Sequence, residues 1–339
     1  MKQVSVHDAV GMVLCHDVTR IVPGDHKGPA FKKGHIITRA DVEPLLDMGK
    51  ANVFVYDLSE GYIHEDDAAA RIASAAAGVG LKLTAPSEGR VNLTAAAAGL
   101  LKVNSAALRQ INSVEDVVFA SLHSNLMVRG SQPVAGTRIV PLVTREENVR
   151  RVESICRDQG PVVDVKPLRS MHIGIVTTGS EVFHGRIEDK FGPVLHVKFA
   201  ELGCPVLEQV FVSDDAAATA EAIRRLIDEG AEIVAVTGGM SVDPDDRSPT
   251  AIRSTGARVV TYGAPVFPGA MFMLAYLGAV PILGLPGCVM YHRTSIFDLI
   301  VPRILAGESL TREDFIDLGH GGFCSGCATC TYPRCGFGK

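Results

Sequence analysis

Three short stretches decide the fold: Thr177-Thr178-Gly179-Ser180-Glu181, Thr237-Gly238-Gly239-Met240-Ser241-Val242-Asp243-Pro244-Asp245-Asp246, and Leu285-Pro286-Gly287. The first two each follow an apolar run, residues 172–176 and 232–236, that reads as a buried strand. Glycines and hydroxyls at the carboxyl ends of strands in an α/β alternation line a crevice with backbone N–H groups, which suits phosphates and other oxyanions. Outward from these stretches the alternation continues. A helix spans 193–203 with Leu195, Phe199 and Leu202 on one face, and a strand at 205–212 ends on Asp214-Asp215, a helix-capping pair. The next helix buries Ala222, Ile223, Leu226 and Ile227. Another helix starts near Ser248-Pro249, two short strands follow residue 259, and a last helix runs to about Leu305. The expected architecture is a three-layer α/β domain, a parallel sheet covered on both faces, with its ligand crevice at the strand carboxyl ends.

At 339 residues the chain is too long for one core. We expect four parts: a mixed α/β domain over 1–78, a small β-rich domain over 79–168, the α/β domain over 169–308, and a cysteine-rich tail over 309–339. In the first part, strands are expected at 31–37 and 51–56 around a helix at 41–48, and an alanine-rich helix closes it at 65–77. In the second, strands are expected at 89–93, 117–120 and 139–143, with helices at 105–111 and 145–158.

Composition narrows the function. A net charge of −5 leaves no basic stripe for nucleic acid. The first residues carry no apolar export segment, so a cytoplasmic protein is expected. The uncharged stretch 259–291 is broken by Pro265, Pro268, Pro281 and Pro286, so no membrane span is expected. Cys15, Cys156, Cys204 and Cys288 are scattered, as reduced thiols are. The other four form Cys324-x2-Cys327-x2-Cys330-x4-Cys335, a spacing suited to Zn²⁺ or an iron–sulfur cluster, with reactive or structural thiols as the remaining reading.

The T-T-G-S-E stretch, Ile187-x-Asp189, Asp214-Asp215, Gly238-Gly239-x-Ser241 with Asp246, and Leu285-Pro286-Gly287 occur in order over 171–306. Together they resemble the molybdopterin-binding domain of molybdenum-cofactor biosynthesis proteins and of the competence-damage-inducible family. Two smaller domains ahead of it, and the opening Asp8-Ala9-Val10-Gly11-x-x-Leu14, resemble the layout of molybdopterin molybdenumtransferases. Against that layout, no Asp-Gly-Tyr-Ala segment is present, Cys288-Val289 replaces an Asn-Pro, Phe191 replaces an asparagine, and the cysteine tail stands in place of a C-terminal β domain.

The resemblance implies a pterin ligand with a dithiolene and a phosphate, extended or not to an AMP anhydride. Thr177, Thr178, Gly179, Ser180, Glu181, Gly238, Gly239, Ser241, Ser248, Pro286 and Gly287 are the expected binding residues. Asp243, Asp245 and Asp246 form an oxygen-rich set suited to Mg²⁺. Asp246 ranks first as a catalytic group, followed by Asp243 and by Asp214 or Asp215 from the neighbouring loop. The dull alternatives are capping for Ser180-Glu181 and Asp214-Asp215 and a solvated turn for 243–246. Three functions stay open: a transferase inserting molybdate (or tungstate) into adenylylated molybdopterin, a pterin carrier or sensor without chemistry, and a nucleotide hydrolase of the competence-damage type. The expected partners are the pterin and other cofactor-biosynthesis proteins or molybdoenzymes, with a homo-oligomeric assembly.

Overall fold

The computed structural model describes residues 2–22, 26–55, 61–244 and 246–339. They divide into two compact units. One comprises Met1–Leu122 with Val128–Val165, the other Lys166–Lys339 with His123–Met127.

The first unit holds two apolar cores. Val4, Val6, Leu14, Ile37, Leu45, Val53 and Val55 form one, where the strands Lys2–Ser5 and Asn52–Val55 pair antiparallel. The helix here is Val42–Asp47; Asp41 and Thr38 form a capping box just ahead of it. The strand expected at 31–37 does not form: Phe31 ends a hairpin of Val18–Val22 with His26–Phe31, and the residues after it make a turn with a single bridge from Ile36 to Val13. The second core runs from Ala68 to Val165. Helix Glu65–Ala76, expected to close the first domain, buries Ala68, Ala69, Ile72, Ala73 and Ala76 in this second core. An alanine stripe permits that close approach to a sheet, here Leu81–Leu83, Arg90–Ala95, Pro133–Ile139 and Val117–Ser121 in spatial order. The strand expected at 139–143 stops at Ile139, two residues before Pro141, which has no N–H to donate.

The second unit is built on six strands: β1 (Ile173–Thr178), β2 (Val206–Val212), β3 (Ile233–Thr237), β4 (Arg258–Tyr262), β5 (Met273–Leu277) and β6 (Val280–Leu285). Their spatial order is β2-β1-β3-β6-β5-β4. The first four are mutually parallel, β5 runs antiparallel to β6, and β4, antiparallel to β5, points the same way as the first four. The sheet is therefore mostly rather than wholly parallel. The cause is local: Leu277 pairs with Val280 across a two-residue Gly278-Ala279 loop, which forces a hairpin where a crossover helix would be needed for parallel strands.

Side chains of the central strands alternate between two cores. Ile173, Ile175, Ile233, Ala235, Leu283 and Leu285 face helices α1 (Phe191–Glu201) and α4 (Ile296–Leu305). Val176, Val234, Val236 and Ile282 face α2 (Ala216–Asp228) and α3 (Ser248–Ser254). Every residue of β1 and β3 is buried. Phe199 of α1 meets Phe297 of α4 edge to face at 5.1 Å, and Lys198 of α1 pairs with Asp298 of α4 at 2.8 Å. Among the described residues no helix is long and apolar enough to cross a membrane. The stretch 259–291 contributes to the three strands β4, β5 and β6 instead.

The residues beyond 308 belong to this second unit. Leu310, Phe315 and Phe337 are buried in the α1/α4 core, with Cys324, Tyr332 and Cys335 packed against it. Arg303 of α4 is 7% exposed and donates to Glu308 at 2.9 Å and to Asp314. Burial raises the Asp314 carboxyl, but the Thr311 N–H and Arg303 outweigh it and hold the carboxyl below the usual range. A carboxyl depressed in the folded state stabilises above its unfolded pKa and loses that stabilisation as pH falls through the folded value. Thermal melts should therefore show Tm falling below about pH 4. Asp314→Asn should flatten part of that slope and lower Tm at neutral pH; an unchanged slope would remove this pair from the acid response.

Candidate functional site

A crevice of about 550 Å³ opens at the carboxyl ends of β3 and β6. The β3 loop contributes Gly238, Gly239, Met240, Ser241, Asp243 and Asp246. Leu285, Pro286, Gly287 and Cys288 form the opposite edge, residues 267–271 a third wall, and Phe191 of α1 closes the floor. This matches the rule that open α/β sheets bind ligands outside the strand carboxyl ends.

The loops owe their shape to hydrogen bonds behind the crevice. Thr178 Oγ1 donates to Thr237 O at 3.2 Å and lies 3.2 Å from Ser248 Oγ, which donates to Gly238 O at 2.8 Å. Thr237 Oγ1 donates to Thr177 Oγ1 at 3.3 Å, and Gln209 Nε2 bridges Thr177 Oγ1 at 2.9 Å and Asp189 Oδ2 at 2.6 Å. Asp189 also accepts the N–H groups of Phe191 and Gly192, starting α1. Thr177, Thr178 and Ser248, expected as ligand donors, are buried and sit behind the crevice.

The T-T-G-S-E loop lies outside the lining as well. Ser180 N–H donates to Asp214 Oδ2 at 2.8 Å, and Asp214 N–H returns to Ser180 Oγ at 3.5 Å. Gly179 and Glu181 accompany that lock, with Glu181 O accepting Arg186 N–H at 2.8 Å. Asp215 is the N-cap of α2, accepting the N–H groups of Ala217 and Ala218 at 2.7 and 2.9 Å. The Ala218 and Ala217 N–H groups hold its carboxyl below the usual range. The structure thus separates Asp214 and Asp215 from Asp246: they fix loops, and they do not reach the crevice. Asp243 and Asp246 do line it, in a turn where Asp246 N–H donates to Asp243 O at 2.9 Å and Asp243 N–H to Asp246 Oδ2 at 3.2 Å. Asp245 lies outside the described residues.

The glycines of the crevice divide into two kinds. Gly238 has φ of +83°, and an added Cβ would stand 2.1 Å from Thr178 O. The fold itself requires a glycine there. Gly287 has φ of −54°, which any residue adopts, and nothing lies within 4 Å of an added Cβ. Its missing side chain leaves room in the crevice rather than relieving the backbone.

Residues 174–306 match the family model described as a "Probable molybdopterin binding domain". That domain holds the crevice and all the loops behind it, and the expected resemblance over 171–306 is borne out. Residues 3–57 match a domain of unknown function (DUF8806). A "CinA-like protein" of Mycolicibacterium gilvum is 35% identical over 77 residues, which is 23% of this chain and 18% of that protein. One from Mycobacterium sp. (strain MCS) is 34% identical over the same shares. This chain therefore spans less than a fifth of these curated relatives. Among solved structures, the tungsten cofactor synthesizing protein MoaB from Pyrococcus furiosus is 20% identical, covering 41% of this chain and 96% of its own, with a TM-score of 0.34. A molybdopterin biosynthesis protein from Mycobacterium abscessus is 18% identical, covering 40% and 97%, with a TM-score of 0.33.

Two further groups lie outside the matched domain. Cys324, Cys327, Cys330 and Cys335 line one cavity of about 470 Å³. In the first unit, a polar cavity of about 400 Å³ is lined by residues including Lys33, Glu65 and Asp66. Beside it the buried His64 points Nε2 at Cys15 O, 2.6 Å away, while Nδ1 faces Lys33 Nζ at 2.9 Å. That pair of contacts fits a neutral ring with its proton on Nε2, and burial lowers its pKa accordingly. Burial likewise raises the Glu65 carboxyl. Sequence reading missed this group because Lys33 and Cys15 lie 31 and 49 residues from His64 and the set matches no motif.

The two kinds of glycine give a test. Gly238→Ala should lower Tm, because it adds about 1–3 kcal/mol of backbone strain and a Cβ against Thr178 O, whatever the ligand state. Gly287→Ala should leave Tm unchanged. Thermal melts of the two variants distinguish a structural glycine from a vacant one, and equal Tm losses would refute the division.

Proposed function

We propose that the crevice binds molybdopterin in the assembly of the molybdenum cofactor. The observation that carries this reading is Gly287, a glycine the backbone does not need, facing open space between the Gly238-Gly239 loop and the wall at 267–271. A ligand that approaches the main chain closely would use that space. Ser241 offers a hydroxyl at the rim, and the apolar surfaces of Phe191, Phe267 and Met271 suit the flat pterin. Gly287→Leu should weaken molybdopterin binding about tenfold or more, measured by titration against pterin fluorescence, with Tm unchanged. Wild-type affinity in that variant would end the reading.

The finer proposal is that the protein inserts molybdate into adenylylated molybdopterin. Asp246 and Asp243 are its acidic groups. Mg²⁺ commonly keeps several waters and takes one or two carboxylates beside substrate phosphates, so this pair fits it without a preformed cage. When bound, the ion would offset charge developing on the phosphoryl oxygens. Asp246→Asn should then leave pterin binding nearly intact and reduce molybdate-dependent AMP release about a hundredfold or more. Equal losses of both would make Asp246 a loop residue.

A carrier without chemistry is the second reading. It is favoured by the bonds that engage Asp214 and Asp215 away from the crevice, which leave Asp246 without the partner carboxylate expected from that loop. Pterin retention with no AMP release on adding molybdate selects it. The similarity to CinA-like proteins keeps nucleotide hydrolysis as a third outcome of the same assay, scored by release of product without pterin.

A further inference from the structure

From residue 320 to 339 the chain forms no helix and no strand element. Residues 325–329 are all exposed, so this stretch by itself buries too little apolar surface to offset the cost of ordering its backbone. Yet it is anchored at both ends. Phe267 N–H donates to Gly322 O and Cys324 N–H to Phe267 O, both at 2.8 Å, tying the entry to the wall of the crevice. At the exit, Phe337 is 3% exposed in the main core, its ring edge-on to Tyr332 at 6.3 Å, and Gly338 N–H closes onto Gly321 O at 2.9 Å. The segment between these anchors carries four cysteines without disulfides, and all four line one cavity. A segment with so little core of its own needs another source of order.

The thiols share one cavity of about 470 Å³ with Tyr291, His292, Arg293 and Thr294, and Thr294 Oγ1 lies 3.4 Å from Cys330 Sγ. A single Zn²⁺ draws four thiolates to about 2.3 Å from one point. Here, among the described residues, no three His, Cys, Asp or Glu side chains converge on a single ion site. The four cysteines instead line one common cavity. An iron–sulfur cluster has that demand, because each cysteine binds a different iron at the corner of a core several ångströms across. The Cys-x2-Cys-x2-Cys run is one that supplies three ligands to such a cluster; in the ferredoxin run the next cysteine, after three residues, serves a second cluster, whereas here it follows after four and lines the same cavity as the first three. Arg293 at the cavity wall supplies positive charge to a site that would gather four thiolates.

We propose that Cys324, Cys327, Cys330 and Cys335 ligate one four-iron, four-sulfide cluster in this cavity. The cluster supplies the order that the loop lacks, and its site is independent of what the neighbouring crevice binds. The segment that lines the crevice with Leu285–Cys288 goes on to line the cluster cavity at 291–294.

The test uses the full chain, purified without oxygen and reconstituted with ferrous iron and sulfide. About four irons and four acid-labile sulfides per chain are expected, with a broad visible absorption band that bleaches on reduction. The double variant Cys324→Ser/Cys327→Ser should hold at least about fourfold less iron, while Cys156→Ser, a buried thiol of the first unit, should hold the wild-type amount. Circular dichroism and the Cys330→Ser single variant guard against loss of fold, since Cys330→Ser should also lose or alter the visible and paramagnetic signals. One zinc per chain without sulfide would overturn the proposal. So would iron retained equally by the cysteine variants, or no stoichiometric metal at all.

Discussion

Everything in the second unit follows from the burial of β1 and β3 on both faces. A strand covered by helices on either side has no exposed position along its length, so each side chain must be apolar or hydrogen-bonded. Ile173, Ile175 and Val176, with Ile233, Val234, Ala235 and Val236, satisfy that demand, and the helices pack on them from both sides. Polar chemistry is then confined to the strand ends. Thr177, Thr178 and Thr237 are the last residues of these strands, and their hydroxyls are consumed there by internal bonds. The first residues free to face a ligand are those of the loops, and this is why the crevice sits where it does.

How much of this was legible depended on how local the cause was. The strands β1 and β3 and the helices α1, α2 and α4 could be read to within a few residues, because burial on two faces writes continuous apolar runs and the helices keep a 3.6-residue stripe. The reversal of β5 was not anticipated, though the Gly278-Ala279 loop that causes it is only two residues long. The helix Glu65–Ala76 was recognisable as a helix, but not its allegiance, since an alanine stripe fits equally against any close sheet.

At the site, contiguity again set the limit. Gly238, Gly239, Ser241, Asp243, Asp246, Pro286 and Gly287 were found because their loops carry recognisable sequence. Phe191, Phe267, Pro268 and Met271 were missed as crevice residues: the first comes from the start of α1 and the others from the stretch 267–271, and no spacing links either to the rest. Asp214 and Asp215 were over-read for the opposite reason. An acidic pair at a strand end resembles chemistry, but the nearest unpaired groups in the fold are backbone N–H donors, and the carboxylates turn to those.

The hydroxyl relay Thr178–Ser248–Gly238 has a consequence for how this crevice could change. It holds the β3 loop from behind, through atoms that no ligand needs to touch. The rim, by contrast, consists of residues such as Ser241, Asp243 and Gly287 that hold little of the fold. A scaffold with a fixed back and an unencumbered front can exchange its rim chemistry piece by piece without passing through an unfolded intermediate sequence. Specificity on such a frame is a replaceable part, and the frame itself is not.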